Sequence, residues 1–385
     1  RYIFNSEDTR WEQNDNWKDG KDAPTTGDYI VEIQTDVVLT TEVSIYSLTI
    51  DEGATLTIEE GGKLTVGDGN TLQKGVYGDL HVANGGEAVF GKGTVTVRDF
   101  ILDAALGNTE EGGSSGQVQD DNHKLVVNGD AYFQMDLDPE GAVTFGWYDF
   151  VVPFAVEVSR GVYLQEDDKL RQLANGSEYA VMRHDEGLRA SGAYDWKKYS
   201  GTMEPGRVYT IALDYRYGWN TILFKKAKGA ALGGSATFNT QCSPGDDDKR
   251  GWNGFGNGTL QHRQLDGLAS GTKVQLYDHT NNVYVPREAG SLKYAVGTSF
   301  FMQVDEAKAI TLSPATSNYA FLAPARDRHT EEFRLALTAE GEEHASDRLW
   351  VSASEEATGA YVIGHDLLKM GTPTEAKVAQ MWANN

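Results

Sequence analysis

The sequence predicts an all-β protein, and three observations carry that expectation. Glycine is abundant, at 43 of 385 residues, and it falls in turns between short apolar runs. Apolar-Thr-apolar triplets recur at a spacing of eight: Leu48-Thr49-Ile50, Leu56-Thr57-Ile58 and Leu64-Thr65-Val66. Beyond about residue 140 the apolar runs lengthen and become aromatic while keeping strand-like spacing. The 18 Tyr, 14 Phe and 8 Trp supply core material that a disordered glycine-rich chain lacks.

Residues 1–139 read as a Trp-containing cap followed by a repeat ladder. Trp11 and Trp17 stand among Asn and Asp ahead of the turn-rich Ala23-Pro24-Thr25-Thr26-Gly27-Asp28. They are expected to cover the apolar end of the first rung. The triplets alternate with the acidic, glycine-bearing turns Asp51-Glu52-Gly53-Ala54 and Glu59-Glu60-Gly61-Gly62. A second set, Leu80-His81-Val82, Ala88-Val89-Phe90 and Val95-Thr96-Val97, leads to a weaker third with Leu125-Val126-Val127. Each triplet turns two side chains in and one out, and such a unit buries its face only by stacking on neighbours. A short β-helix or β-roll-like coil is therefore expected. An antiparallel meander fits the same spacing, but the turns lack the Asn-Gly pairs of tight hairpins. The segment Gly107–Asn122 reads as a protruding loop.

Residues 140–323 read as an aromatic β-sandwich of jelly-roll type, because long loops join strands such as Val143–Phe154, Val208–Leu213 and Ser299–Val304. Residues 324–385 read as a partial third β-rich domain. It ends in a helix, with Thr372 as N-cap, Pro373 in the first helical position and Glu375 closing a capping box.

The net charge of -23 repels nucleic acid and anionic lipid and leaves basic surfaces or divalent cations as electrostatic partners. Cys242, the single cysteine, gives no internal disulfide and weakens any zinc–thiolate site. No apolar run reaches the length of a membrane span, so no membrane insertion is expected of this fragment. The start at Arg1 and the end at Asn385 suggest a mature fragment of a longer, exported protein.

No catalytic constellation stands out, and a non-enzymatic role is expected. Asp136-Leu137-Asp138-Pro139-Glu140-Gly141 imitates half an EF-hand loop but has Trp147 where the bidentate Glu belongs. Asp246-Asp247-Asp248 is the better calcium candidate, and no other cofactor is expected. Asp185-Glu186 and Glu355-Glu356 are carboxylate pairs without demonstrable facing geometry. His184-Asp185 has no nucleophile elbow to complete a triad. Aromatic residues flanked by glycine, asparagine or loop sequence are candidates for stacking on sugars: Trp219, Trp252, Trp196 and Tyr217.

Several phrases together resemble the large modular cell-surface proteins of Bacteroidetes. They are Asn16-Trp17 leading into Pro24, the Leu48–Ile58 ladder, Trp147-Tyr148-Asp149-Phe150-Val151-Val152-Pro153-Phe154, Gly251-Trp252-Asn253-Gly254-Phe255-Gly256-Asn257 and Tyr361-Val362-Ile363-Gly364-His365-Asp366. The resemblance implies an adhesin-like or structural protein, exported by the type IX route and displayed on the outer cell surface. It implies glycans or surface proteins as partners, and it brings no catalytic residue with it. Two other readings stay open: a carbohydrate-active enzyme, and a self-assembling filament or surface-layer component stacked through exposed ladder ends.

Overall fold

The computed structural model describes residues 1–67, 79–104, 115–121, 123–136, 147–166, 169–213, 221–268, 271–278, 283–315, 320–321, 334–340 and 346–352. Among these the chain is all-β, with the five-residue helix α1 (Glu186–Ala190) as its one α-helix. The expected helix from Thr372, Glu355-Glu356, residues 107–114 and 122 of the expected loop, and residues 137–141 of the EF-hand-like run lie outside the described residues.

The first thirteen strands are β1 (Tyr2–Phe4), β2 (Thr26–Ile33), β3 (Val37–Leu39), β4 (Glu42–Ile50), β5 (Thr55–Ile58), β6 (Lys63–Val66) and β7 (Asp79–Val82), then β8 (Glu87–Val89), β9 (Thr94–Val97), β10 (Asp99–Ala104), β11 (Gln117–Gln119), β12 (Leu125–Val127) and β13 (Ala131–Asp136). Every pairing among them is parallel, so the antiparallel meander does not apply. They stack in three columns. One runs β1, β2, the C-terminal half of β4, β7, β10 and β13; another β3, β5, β8 and β11; the last the N-terminal half of β4, β6, β9 and β12.

The triplets explain the columns. Leu48, Leu80, Phe100 and Phe133 are fully buried, as are Leu56, Ala88 and Val118 in the second column and Val43, Leu64 and Val95 in the third. Each such large aliphatic side chain removed from water contributes about 1.5–3 kcal/mol before chain entropy is counted. The turns repeat as well. Ala54, Gly62 and Gly86 each donate a backbone N–H to the carbonyl three residues earlier, and the third residue of each turn is Gly53, Gly61 or Gly85 at φ of 75°, 91° and 74°. At Gly93 a Cβ would stand 2.1 Å from Ile58 Cγ2 and 2.7 Å from the Gly62 carbonyl, so stacked turns need glycine there.

The first rung of this ladder is covered. At the start, β1 adds to β2, and Trp11 and Trp17 close over the core with ring centroids 5.0 Å apart. Their indole N–H groups donate to the carbonyls of Pro24 and Trp11, both at 2.9 Å, which satisfies the polar edge of each buried ring.

The next strands are β14 (Tyr148–Phe150), β15 (Val156–Glu157), β16 (Val162–Glu166), β17 (Lys169–Gln172), β18 (Tyr179–His184), β19 (Trp196–Tyr199), β20 (Thr202–Met203), β21 (Tyr209–Leu213) and β22 (Thr221–Lys225). β22 pairs antiparallel with β13 and with β16, so the ladder sheet continues into β22, β16 and β17. Opposite lies the sheet β14-β21-β18-β19. Phe224 stacks on Phe150 at 4.8 Å between centroids, and one apolar core runs unbroken from Phe4 to Phe224.

A second sheet pair follows, so residues 140–323 hold two sandwich-like layers of strands. Its strands are β23 (Thr237–Asn239), β24 (Trp252–Gly256), β25 (Arg263–Leu265), β26 (Lys273–Asp278), β27 (Val283–Glu288), β28 (Leu292–Tyr294), β29 (Ser299–Gln303), β30 (Ala309–Pro314) and β31 (Ala320–Phe321). They form the sheets β23-β30-β25-β28-β31 and β24-β29-β26-β27 around a separate core that includes Phe255, Leu276, Tyr294 and Phe300, while an isolated bridge joins Phe255 of β24 to Arg207. This unit also reaches the ladder: Val118 N–H donates to Leu260 O at 2.7 Å and Ser115 Oγ–H to Val296 O at 2.6 Å. Finally β32 (Arg334–Glu340) and β33 (Ser346–Ser352) form an antiparallel pair of their own.

Candidate functional site

Trp219 and Tyr217 lie outside the described residues. Trp252 and Trp196 do not form the expected sugar-stacking face: they are 0% and 2% exposed and belong to one apolar cluster with Val151, Val208, Tyr277, Tyr284 and Phe301. The glycine and asparagine neighbours of Trp252 reflect tight packing. Gly254 meets Phe301 and Val208, and Asn253 bonds the carbonyls of Gln241 and Gly251 at 2.8 and 2.7 Å.

The acidic loop is also accounted for by its own neighbours. Asp246 pairs with Lys249 at 2.7 Å and Asp247 with Arg250 at 2.9 Å, while the Asp248 carbonyl accepts the Trp252 indole N–H at 3.1 Å. Hydrogen bonding to Lys249 holds the Asp246 carboxyl below its usual range. Among the described residues, no group of three His, Cys, Asp or Glu side chains is placed to hold a metal ion. The calcium reading of Asp246, Asp247 and Asp248 therefore loses its ligand set.

The buried polar chemistry sits instead where the second sheet pair covers the first. Strand periodicity builds the site. On β14, Tyr148 and Phe150 enter the shared core and Asp149 faces the other way. Register places Thr210 opposite Asp149 and Met182 opposite Thr210; one row along, Trp196 lies opposite His184. This outer face would meet water in a free sheet. Here Trp252, Tyr277, Tyr284 and Phe301 of the second unit close over it.

Asp149 is 5% exposed, and its Oδ2 accepts the hydroxyl proton of Tyr284 at 2.6 Å. Burial pushes its carboxyl up to about 7, against the lowering effect of the Tyr284 and Thr210 hydroxyls. His184, with a side chain 4% exposed, packs edge-on against Phe301 at 4.9 Å, and its Nε2 stands 3.3 Å from Asp195 Oδ2. Burial drives its imidazole below the usual value. Burial also pushes Asp195 upward, but His184 and Arg189 overcome that and hold it low; Arg189 Nη1 donates at 2.9 Å. The Arg189 guanidinium lies 5.1 Å from the Trp252 ring centroid.

Asp185 and Glu186, considered as a carboxylate pair, act as connectors. Asp185 caps α1 by accepting the Leu188 N–H at 3.1 Å and pairs with Lys197 at 2.7 Å. Glu186 accepts from the Ser243 N–H at 3.0 Å, the Ser243 hydroxyl at 2.6 Å and the Gly251 N–H at 2.7 Å, tying α1 to the second unit. The partner of His184 is thus Asp195, not adjacent Asp185. One sequence signal pointed here: Asp149 is a lone acid with aromatic neighbours on both sides of its strand.

A second polar group lies on the ladder wall. His81 Nε2 is 2.8 Å from Asp103 Oδ1, and Ser47 Oγ is 3.4 Å from Asp79 Oδ1, on the side of β4, β7 and β10 opposite the core leucines. Burial lifts the Asp79 carboxyl to about 7, opposed by His81. Burial lowers the His81 imidazole, but the hydrogen bond to Asp103 together with the negative charge of Asp103, Asp79 and Asp51 leaves it raised.

In comparison with known proteins, no protein-family profile, no curated protein and no solved structure matches the chain.

Proposed function

We propose that this chain is a non-enzymatic component of a bacterial cell surface, in which a short three-sided β-helix serves as a rigid spacer for jelly-roll-type β-sandwiches that bind glycan or protein. The observation that carries this reading is the unbroken core from Phe4 through the β13–β22 pairing to Phe224, which makes spacer and first sandwich one body. Engagement of Asp185, Glu186, His184 and Asp195 in structural contacts supports a role without chemistry. The Bacteroidetes-like phrases support display at the outer surface. Trp11 and Trp17 over the first rung and β22 on the β13 edge count against stacking through those parts of the ladder.

The test is binding of the purified chain to mucin, polysaccharide and host-protein arrays, together with antibody labelling of intact cells. Saturable binding to one class with surface labelling is the expected result. Uniformly negative arrays remove the binding role, and labelling only after lysis removes display.

One observation favours the carbohydrate-active alternative: Asp79, His81 and Asp103 place a proton-holding carboxyl beside a histidine–carboxylate pair. Polysaccharide cleavage by the wild type that Asp79→Asn abolishes would establish that reading; no cleavage across an acidic and neutral polysaccharide panel would remove it.

A further inference from the structure

The face where the second sheet pair closes on the first buries two titratable side chains of opposite character. We propose that this junction is a proton-balanced joint: opening it releases a proton from Asp149 and lets His184 take one up, so the two offset one another and hold closure constant through mild acid.

The geometry supplies both halves. Asp149 on β14 and His184 on β18 project from the same face of one sheet, two strands apart, which is about 10 Å. Each is covered by the second unit, Asp149 by Tyr284 and His184 by Phe301. The groups acting on Asp149 are the Tyr284 hydroxyl of β27 and the Thr210 hydroxyl of β21. Those acting on His184 are Asp195, Arg189 and Asp185, while Asp195 also faces Tyr284. When the joint opens, water reaches both side chains, and burial no longer favours their neutral forms.

The signs follow from burial. Asp149 is neutral in the closed joint up to about 7, whereas its usual value is 3.8, so closure weakens as pH rises from about 4 to 7. His184 is neutral when closed and has a usual value of 6.5, so closure weakens as pH falls below that. Below 6.5 the two slopes oppose for as long as His184 stays neutral in the closed joint, each worth at most about tenfold in the opening constant per pH unit. Asp195 is held low and loses its proton below this window, and Tyr284 is raised well above its usual 10.0, so neither titrates within it. This inference does not depend on the surface-protein reading.

The experiment is amide hydrogen exchange on the full chain from pH 4.5 to 6.5, corrected for intrinsic exchange. The reporters are Val208, bonded to Gly254 O, and Gly256, bonded to Gly206 O; Ala83, bonded to Ile50 O in the ladder, is the control. Wild-type opening is expected to change by less than about threefold over the two units. In Asp149→Asn it should rise toward about tenfold per unit of acidification, and in His184→Gln it should fall as steeply. A wild-type slope near tenfold per unit, or flat behaviour in either variant, overturns the proposal. Carbon-13 NMR titration of the wild type needs no variant to fold. Asp149 should hold its proton at pH 5 while the His184 ring stays neutral; an ionised Asp149 or a charged His184 at that pH overturns it.

Discussion

The ladder and the joint are both dry inside, but they are dry for different reasons. Among the described residues every inward position of the ladder strands is apolar, and the polar side chains Ser47, Asp79, His81 and Asp103 lie on its outer wall. In the joint a sheet face carrying Asp149, Thr210 and His184 is buried by a second unit, and Asp149 Oδ2 finds its partner, Tyr284, far along the chain. The ladder can therefore gain stability from repetition alone. The joint depends on individual pairs, where loss of one partner strands another in a medium that cannot hydrate it.

That difference can be broken from either side. Arg189→Met keeps the bulk over Trp252 but leaves Asp195 without its guanidinium. The largest loss is expected here, about 3–5 kcal/mol in chemical denaturation. A cost under 1 kcal/mol would mean that the joint is as forgiving as an apolar contact. Leu80→Ala opens a cavity between Leu48 and Phe100, with an expected cost of about 2–5 kcal/mol. Because the core is continuous, ladder and first-sandwich probes should shift together; separate transitions would divide that core into two.

A smaller effect sharpens the ladder side. Gly93→Ala must push a methyl group against Ile58 and the Gly62 carbonyl, costing about 1–3 kcal/mol, and thermal melting reads it directly. At the bottom of the scale is Asp247→Asn. Its melting temperature should match that of the wild type, and adding calcium or a chelator should move neither protein. A calcium-dependent rise in the wild type that the variant lacks would restore the acidic loop as a metal site.

How much of this was legible in the sequence follows the same division. The triplets from Leu48 to Val66 and their glycine turns are local signals, so strands, turns and inward faces could be read from a window of eight residues. The spacing suited hairpins as well as parallel stacking and only the missing Asn-Gly turns spoke against them, whereas pairings such as Leu56 with Ala88, 32 positions apart, decide for the parallel stack. The joint was not legible. Trp252 looked exposed because its neighbours are small or polar, yet Gly254 is small because Phe301 and Val208 press against it. Asp149 and Tyr284 are separated by 135 positions, and nothing in either neighbourhood names the other. His184 drew attention for the wrong partner, since the adjacent Asp185 turns to the helix start and Lys197.

The covered first rung of the ladder and the β22 pairing at its β13 edge have a consequence for its length. Leu64 pairs with Val95, and Val95 with Leu125, steps of 31 and 30 residues. Each full coil adds one strand spacing, about 4.8 Å, along the axis. Duplication of one such coil would repeat the turns and the inward leucines while presenting the same surfaces to the tryptophan lid and to β22. The reach of the molecule can thus change in equal increments by tandem duplication, without redesign of either terminus of the stack.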